Sequence, residues 1–465
     1  MFTAVRIPSG TLEIAGFFAR YVRALRLSSH SERCTPGEML APRGDHVGFT
    51  WFCAALISAA CSSSENPTST GAGGAGGVSG SGGLPPAADS GPAPSQCLGR
   101  AMPPRASDPV ARPASLEPYF PTTSFRTASP AEAGLDAAKL DAALAFAPQH
   151  SSTQGIVVLR HGYIVGERYV GSFTAATRHE SFSVAKSFSS ALVGIAIRDG
   201  LLSGVGDPIC KYYPEWGCDA SDPRSRITVG HAMNVASGLQ WHEDWRVGRT
   251  GANDAYSPNI LDVVLSRPVV DEPGTKQRYS TGDPALLSGV LQSVTGKTVL
   301  EFAREVLLAP LGLTELRWSS DAKGRTNTYA GIQATVREFS KFGFLYLRRG
   351  QWDGREVVPA SWVDFTTRAA DPCHDQYRYL WHVNLPLRLG EQDPQCSGFL
   401  ECDPTGFANL PANGFYAIGV AGQLIIVLPS ADIVIARVAQ DDLGGEYWDG
   451  YARDLISMLL DAVVN

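Results

Sequence analysis

Lysine is scarce in this chain. Only Lys139, Lys186, Lys211, Lys276, Lys297, Lys323 and Lys341 occur in 465 residues, and arginine supplies the other cations. The formal net charge of −7 carries no basic stripe, which argues against nucleic acid or an anionic membrane surface as a main partner. No Gly-x-Ser-x-Gly occurs, so the strained serine turn of the α/β-hydrolases is missing. No Cys-x-x-Cys or Cys/His ligand spacing occurs either, and neither a metal site nor a cofactor is expected. Charged residues make up 18% and apolar residues 44%, which rules out a wholly disordered or fibrous chain.

Glycine and proline, at 48 and 31 residues, are in excess. Much of the surplus lies in residues 62–118: eight of the thirteen residues from Gly71 to Gly83 are glycine, and Pro, Ala, Ser and Asp follow to about Pro113. Such a stretch cannot bury enough apolar surface to fold and reads as a flexible tether. Before it, the fourteen residues Val47–Ala60 carry no charge. A membrane-spanning helix needs ~20, so the length suits the core of an export signal. Ser58-Ala59-Ala60 are small residues of the kind signal peptidases accept, and Cys61 after them resembles a bacterial lipoprotein attachment site. Ser58 stands where such sites usually have Leu, and cleavage with release is the alternative. Residues 1–61 are read as this signal, with Met39 as a possible true start, and the destination is the cell envelope or the medium. Six cysteines follow Cys61, an even number compatible with disulfides, and Cys210 and Cys218 are the nearest pair.

The folded part is expected from about residue 119 to 465. Gly155–Val170 reads as two strands joined at His161-Gly162. Strand signals return at Leu424–Leu428 and Asp432–Val438, and Trp448–Val464 has helical apolar spacing. Between them lie helix-like segments such as Asp283–Val294, Val299–Leu308 and Thr335–Arg348. The fold class is therefore α/β in the α+β sense: an antiparallel sheet built from both ends of the region, flanked by helices, with an all-helical subdomain inserted at about 200–370.

The chemistry concentrates on one helix. From Val184 to Ile197 the only ionisable side chain is Lys186, so this is a buried helix, ended by Arg198-Asp199-Gly200. Ser183 at its first turn and Lys186 one turn on share a face. Burial lowers a lysine's pKa by up to ~3–5, which makes it able to take a proton near neutral pH. The helix N-terminus supplies N–H groups and a positive dipole end suited to an oxyanion. Spacing alone is weak: Ser320-Asp-Ala-Lys323 repeats it in a polar loop. Tyr279, in a turn-rich loop before Asp283–Val294, can shuttle protons if it lies near a lysine. Gly419 and Gly422, entering Leu424–Leu428, can admit a close backbone or substrate.

Ser-x-x-Lys, then a Tyr-Ser loop, then a glycine-bearing strand near the C-terminus resembles the penicillin-recognising serine hydrolases. The class C β-lactamase-like group is nearest, particularly the 6-aminohexanoate-dimer hydrolases and family VIII carboxylesterases. Pro130–Leu135, Ile227–His231 with Ala236–Trp241, and Ala334–Gly343 are similar to that group too, and the likeness covers about 125–460. It implies a β-lactamase/transpeptidase-like fold and acyl transfer through an ester on Ser183, with Lys186 and Tyr279 sharing the proton transfers. It also implies an oxyanion hole from the backbone N–H groups of Ser183 and Val420, and a substrate-binding strand at Ala417, Ile418 and Gly419.

Two positions depart from class C β-lactamases. Their tyrosine motif usually ends in Asn, and here Thr281 stands; their strand carries Lys-Thr-Gly, and here Ala417-Ile-Gly419 does. The cation that helps hold a substrate carboxylate is missing, so a small-molecule ester or amide is the expected partner and β-lactam hydrolysis is expected to be weak. Two alternatives stay open: a non-catalytic envelope protein that binds peptidoglycan peptides, and a D-amino-peptidase or DD-peptidase-like enzyme. A fluorophosphonate probe separates catalysis from binding. Covalent labelling mapped to Ser183 by peptide mass spectrometry is expected, whereas a pure binding module leaves that serine unlabelled.

Overall fold

A computed structural model describes residues 110–243, 254–367, 377–383, 410–411, 413–440 and 445–464. The segment expected to be an export signal, Cys61 and most of the expected tether lie outside these residues. Of the six later cysteines, only Cys210 and Cys218 lie inside them; they form the expected disulfide, with Cα atoms 5.4 Å apart. Among the described residues no helix is long and apolar enough to cross a membrane.

Seven strands form one antiparallel sheet: Thr153–Arg160 (β1), Tyr163–Tyr169 (β2), Tyr377–Arg378 (β3), Trp381–Val383 (β4), Phe415–Gly419 (β5), Gln423–Leu428 (β6) and Ile433–Ala439 (β7). Their order is β2-β1-β7-β6-β5-β4-β3. The hairpin between β1 and β2 turns at His161 (φ 55°) and Gly162 (φ 91°), both left-handed as a tight two-residue turn requires. The register joins the two ends of the region, Val158 lying opposite Ile435 and Leu159 opposite Val434.

Strand alternation explains the layers. Ile156, Val158, Ile426, Ile433 and Ile435 point to one face, where Ala137–Gln149 (α1) and Gly445–Asp461 (α5) cover them through Leu140, Leu144, Leu455 and Leu459. Val157, Leu159, Ile425, Val427 and Val434 point to the other face and join a larger core. That core includes Val184–Arg198 (α2), Gly282–Thr295 (α3) and Val336–Leu347 (α4). In α4 the Thr335 hydroxyl accepts from the Glu338 N–H and the Glu338 carboxylate accepts from the Thr335 N–H, a capping box. Phe342 of α4 stacks on Phe188 of α2 with ring centroids 3.6 Å apart. At the far end of β7 the chain turns through Asp432 (φ 52°), whose carboxylate takes hydrogen bonds from His161 and Arg348. Burial would raise that carboxyl, but these two donors outweigh it and hold it down to about 2.

One expectation is corrected. The region 200–370 is largely helical but not all-helical: it contributes Arg317–Trp318 and Ile332–Thr335, which pair with Arg178–Glu180 in a second, three-stranded sheet. Ile332 and Ala334 are buried while Gln333 is exposed, the alternation of a half-covered strand, over too few residues to stand out among helices. The segment expected as one helix over Val299–Leu308 is α-helical to Ala303 and then widens into a π turn over Arg304–Leu308.

Phe342 ties α2 to the sheet-facing core, so Phe342→Ala leaves a cavity between them. The expected cost is about 3–5 kcal/mol, read as a lower denaturant midpoint in an unfolding titration.

Candidate active site

Up to its last turn helix α2 has no charged surface because no side of it meets water: Val184 through Ala196 are all buried, and only the end at Arg198 is exposed. Two of its hydroxyls reach carbonyls of neighbouring segments instead. Ser187 Oγ donates to Leu380 O at 2.7 Å, and Ser189 Oγ donates to Thr328 O at 2.6 Å. Lys186, only 1% exposed, sits among them. Its Nζ donates to Ser183 Oγ at 2.7 Å, to Tyr329 O at 3.3 Å and toward Thr281 Oγ1 at 3.5 Å. The Tyr279 hydroxyl donates to Ser183 Oγ at 2.9 Å, and Lys186 Nζ lies 5.1 Å from the Tyr279 ring centre. Ser183, Lys186 and Tyr279 are therefore brought together at the start of α2. The second Ser-x-x-Lys is not: Lys323 is exposed and pairs with Asp262 at 2.7 Å.

A strained turn delivers Ser183. Phe182, just before it, is left-handed at φ 44°, which costs a bulky residue about 1–3 kcal/mol. The surroundings over-determine it. Ser181 N–H donates to Ile332 O at 2.7 Å, Ile332 N–H donates to Ser181 Oγ at 3.1 Å, and the Glu180 carboxylate accepts from Gly331 N–H at 2.8 Å and Phe182 N–H at 3.3 Å. Burial raises the Glu180 carboxyl above its ordinary value, while those N–H donors pull the other way.

Strand β5 approaches this turn closely. A Cβ on Gly419 would stand 2.4 Å from Ser181 O and 3.2 Å from Phe182 Cβ, so only glycine lets the strands meet. Val420 follows at the strand end, exposed, beside the left-handed Ala421 (φ 60°). The strand residues divide between its faces. Ala417 is buried in the core that holds α2, whereas Ile418 packs against the opposite core with α1 and α5. Ile418 therefore turns away from Ser183, as the residue between two site-facing neighbours in a strand must.

Three groups near the cluster escaped the sequence reading. Glu243 accepts from Thr281 N–H and Thr281 Oγ1, each at 2.5 Å, and from Trp241 Nε1 at 2.7 Å. Asp283, fully buried, accepts from Ser237 N–H at 3.0 Å and Ser237 Oγ at 2.7 Å; burial pushes its carboxyl up to about 6 despite those bonds, and Glu243 adds to the rise. His382 on β4 stacks on Tyr416 and is pushed down to about 3 by burial and by the Lys186 charge, so its ring is neutral. Glu243 alone had a visible signal: it follows by two residues the Ala236–Trp241 stretch.

A serine and a lysine one helical turn apart, a tyrosine on a separate loop and a glycine-bearing strand beside them, all set against an antiparallel sheet, define the β-lactamase/transpeptidase class of fold. The chain belongs to the beta-lactamase family, whose sequence model matches residues 141–455. This is a family of serine hydrolases that includes esterases, amidases and peptidases. A protein of Alkalihalophilus pseudofirmus, itself uncharacterised, is 22% identical over 339 residues, covering 65% of this chain and 88% of its own. Among solved structures, a Bacillus anthracis protein provisionally assigned as a 6-aminohexanoate-dimer hydrolase superposes with a TM-score of 0.56 at 17% identity, over 74% of this chain and 90% of its own. A family VIII carboxylesterase superposes with a TM-score of 0.52 at 16% identity, over 70% and 97% respectively.

The contact at Gly419 gives a direct test. Gly419→Ala forces β5 away from Ser181 and carries the Val420 N–H with it. Fluorophosphonate labelling of Ser183 is expected to slow by about 100-fold, the size of losing one oxyanion donor, while circular dichroism stays that of a folded protein.

Proposed function

We propose that the protein is a serine hydrolase that cleaves a carboxylic ester or amide through a covalent acyl-enzyme on Ser183. The observation that carries this reading is the contact of one hydroxyl oxygen, Ser183 Oγ, with both Lys186 Nζ and Tyr279 OH. Ser183 Oγ attacks the acyl carbon as its proton passes to the Lys186/Tyr279 pair. The N–H groups of Ser183 and Val420 hold the tetrahedral oxyanion. Collapse breaks the bond to the leaving group, which takes the proton from the same pair. Water then repeats the sequence on the acyl-enzyme and releases the acid.

The substrate class follows from charge. At the position where a class C β-lactamase carries the lysine of its Lys-Thr-Gly strand, Ala417 is a buried methyl group in the core. The carboxylates of Glu243 and Asp283 lie nearby instead. An acyl group without a carboxylate beside the scissile bond suits these surroundings, and a β-lactam, which carries one, does not. The likeness to esterase and 6-aminohexanoate-dimer hydrolase structures supports the same preference. With an export signal and tether before it, the catalytic region would work outside the cytoplasm.

The test is a panel of p-nitrophenyl esters and anilides on the full chain beside its Ser183→Ala variant. Ester hydrolysis that falls by about 1,000-fold or more on substitution supports the reading, and an equally active variant overturns it. A chromogenic cephalosporin is expected to turn over at least about 100-fold more slowly, in kcat/KM, than the best ester; comparable turnover would overturn the argument from the missing cation.

A further inference from the structure

Lys186 is the cation on which the proposed chemistry turns, and a route from it to a carboxylate runs through one hydroxyl. Thr281 Oγ1 donates to Glu243 Oε1 at 2.5 Å, which commits its only proton to the carboxylate. A lone pair of the same oxygen therefore faces Lys186 Nζ, 3.5 Å away. Thr281 cannot swing aside. Its N–H is held by Glu243 Oε2 at 2.5 Å, its side chain is buried, and it starts α3. Glu243 is fixed in turn by Trp241 Nε1, and the Trp241 ring lies against Gly282, where a Cβ would come within 2.6 Å of it.

We propose that Glu243 is a positioning residue that sets the protonation of Lys186 through the Thr281 hydroxyl. It does not touch the reacting atoms. The proposal rests on the hydrolase reading above, since it concerns when Lys186 can act on Ser183.

The sign follows from the groups that face Lys186. Tyr279, from the loop before α3, donates to the same Ser183 oxygen that Lys186 does. His382, from β4, is neutral and so does not offset the lysine's charge. The loop before Ile332–Thr335 brings Tyr329 O to Lys186 itself, and the segment before β4 brings Leu380 O to Ser187, the Tyr377 ring to Tyr279 and the buried Arg378, a cation that offsets no positive charge. Asp283, on α3 beside Thr281, spends its carboxylate on Ser237 and Ser280. The Thr281 lone pair, with the Glu243 charge behind it, favours the ammonium form of Lys186. Glutamine at 243 removes the charge and can donate to Thr281 Oγ1 instead of accepting from it. The ammonium then loses its support, and neutral lysine accumulates at lower pH.

The measurement is the pH dependence of the second-order rate of fluorophosphonate labelling of Ser183 in the full chain, which needs no natural substrate. In Glu243→Gln the midpoint of the rising limb is expected to move down by about one pH unit. Thr281→Val, which keeps the shape and deletes the hydroxyl, should move it in the same direction, and the double variant should move it no further than the larger single one. A merely structural role for Glu243 would lower the rate without moving the midpoint. An unmoved or raised midpoint in a folded Glu243→Gln protein overturns the proposal, as does additivity in the double variant. If Glu243→Gln does not fold, an unmoved midpoint in Thr281→Val overturns it alone. A wild-type chain that shows no Ser183-dependent labelling overturns the hydrolase reading, and this inference with it; labelling with an unmoved midpoint leaves that reading standing.

Discussion

One buried ammonium organises the catalytic region. Removing a charge from water is costly unless hydrogen-bond acceptors replace the solvent. The acceptors that Lys186 meets come from separate stretches of chain: Ser183 from its own helix, Thr281 from the loop that starts α3, and Tyr329 O from the segment that leads into Ile332–Thr335. Thr281 and Tyr329 belong to the insertion, so these two bonds form only when it has docked on α2. The same docking satisfies Ser189 on Thr328 O, while Ser187 is satisfied by Leu380 O from the turn between β3 and β4 of the large sheet. Burial of α2, attachment of the insertion and assembly of the Ser183 cluster are thus one event. This accounts for a helix that is both fully covered and rich in hydroxyls.

The second constraint is backbone strain beside that cluster. Phe182 and Ala421 both hold left-handed conformations, and both neighbour the N–H groups assigned to the oxyanion hole. Ladder bonds between Arg178–Glu180 and Ile332–Thr335, extended by Ser181, fix the first. The second is fixed from beneath by fully buried Arg437, whose guanidinium donates to Gly422 O at 2.8 Å and to Thr153 Oγ1 at 2.7 Å. Gly419 is where the two strained segments meet. The small three-stranded sheet is therefore part of the site's scaffold: without it Phe182 has little reason to stay left-handed.

How legible this was in the sequence depends on range. The His161-Gly162 hairpin, the strands near the C-terminus and the uncharged helix are local patterns, and the structure reproduces them within a residue or two. Ser183 and Lys186 were legible for the same reason, since one helical turn fixes their relation. Tyr279 and Gly419 became interpretable only through the order of motifs that a family shares, because no local rule says which loop or strand reaches a given helix. Asp283 and His382 were not legible, and Glu243 was legible only as a neighbour of the Ala236–Trp241 stretch: each is defined by a partner far along the chain or across the sheet. Ile418 differs from its two neighbours in the strand. A three-residue motif treats its members alike, but strand geometry must turn the middle one to the other face, into the core with α1 and α5.

The charge balance of the site argues for its substrate more strongly than any single residue. In a buried site an added anion must find a cation already in place, since few solvent molecules can reorganise around it. Here Lys186 is that cation, and its hydrogen bonds already run to Ser183, Thr281 and Tyr329 O. In the proposed reaction the anion to be stabilised at short range is the substrate oxyanion of the tetrahedral adduct on Ser183, held by the backbone N–H groups of Ser183 and Val420. A second negative charge carried in by the substrate would meet the carboxylates around Thr281 and Ser237, and at Ala417 a methyl group in place of an ammonium. The Ser183 cluster has the geometry for acyl transfer, and the charges around it support the proposal that its acyl groups are neutral where they meet the protein.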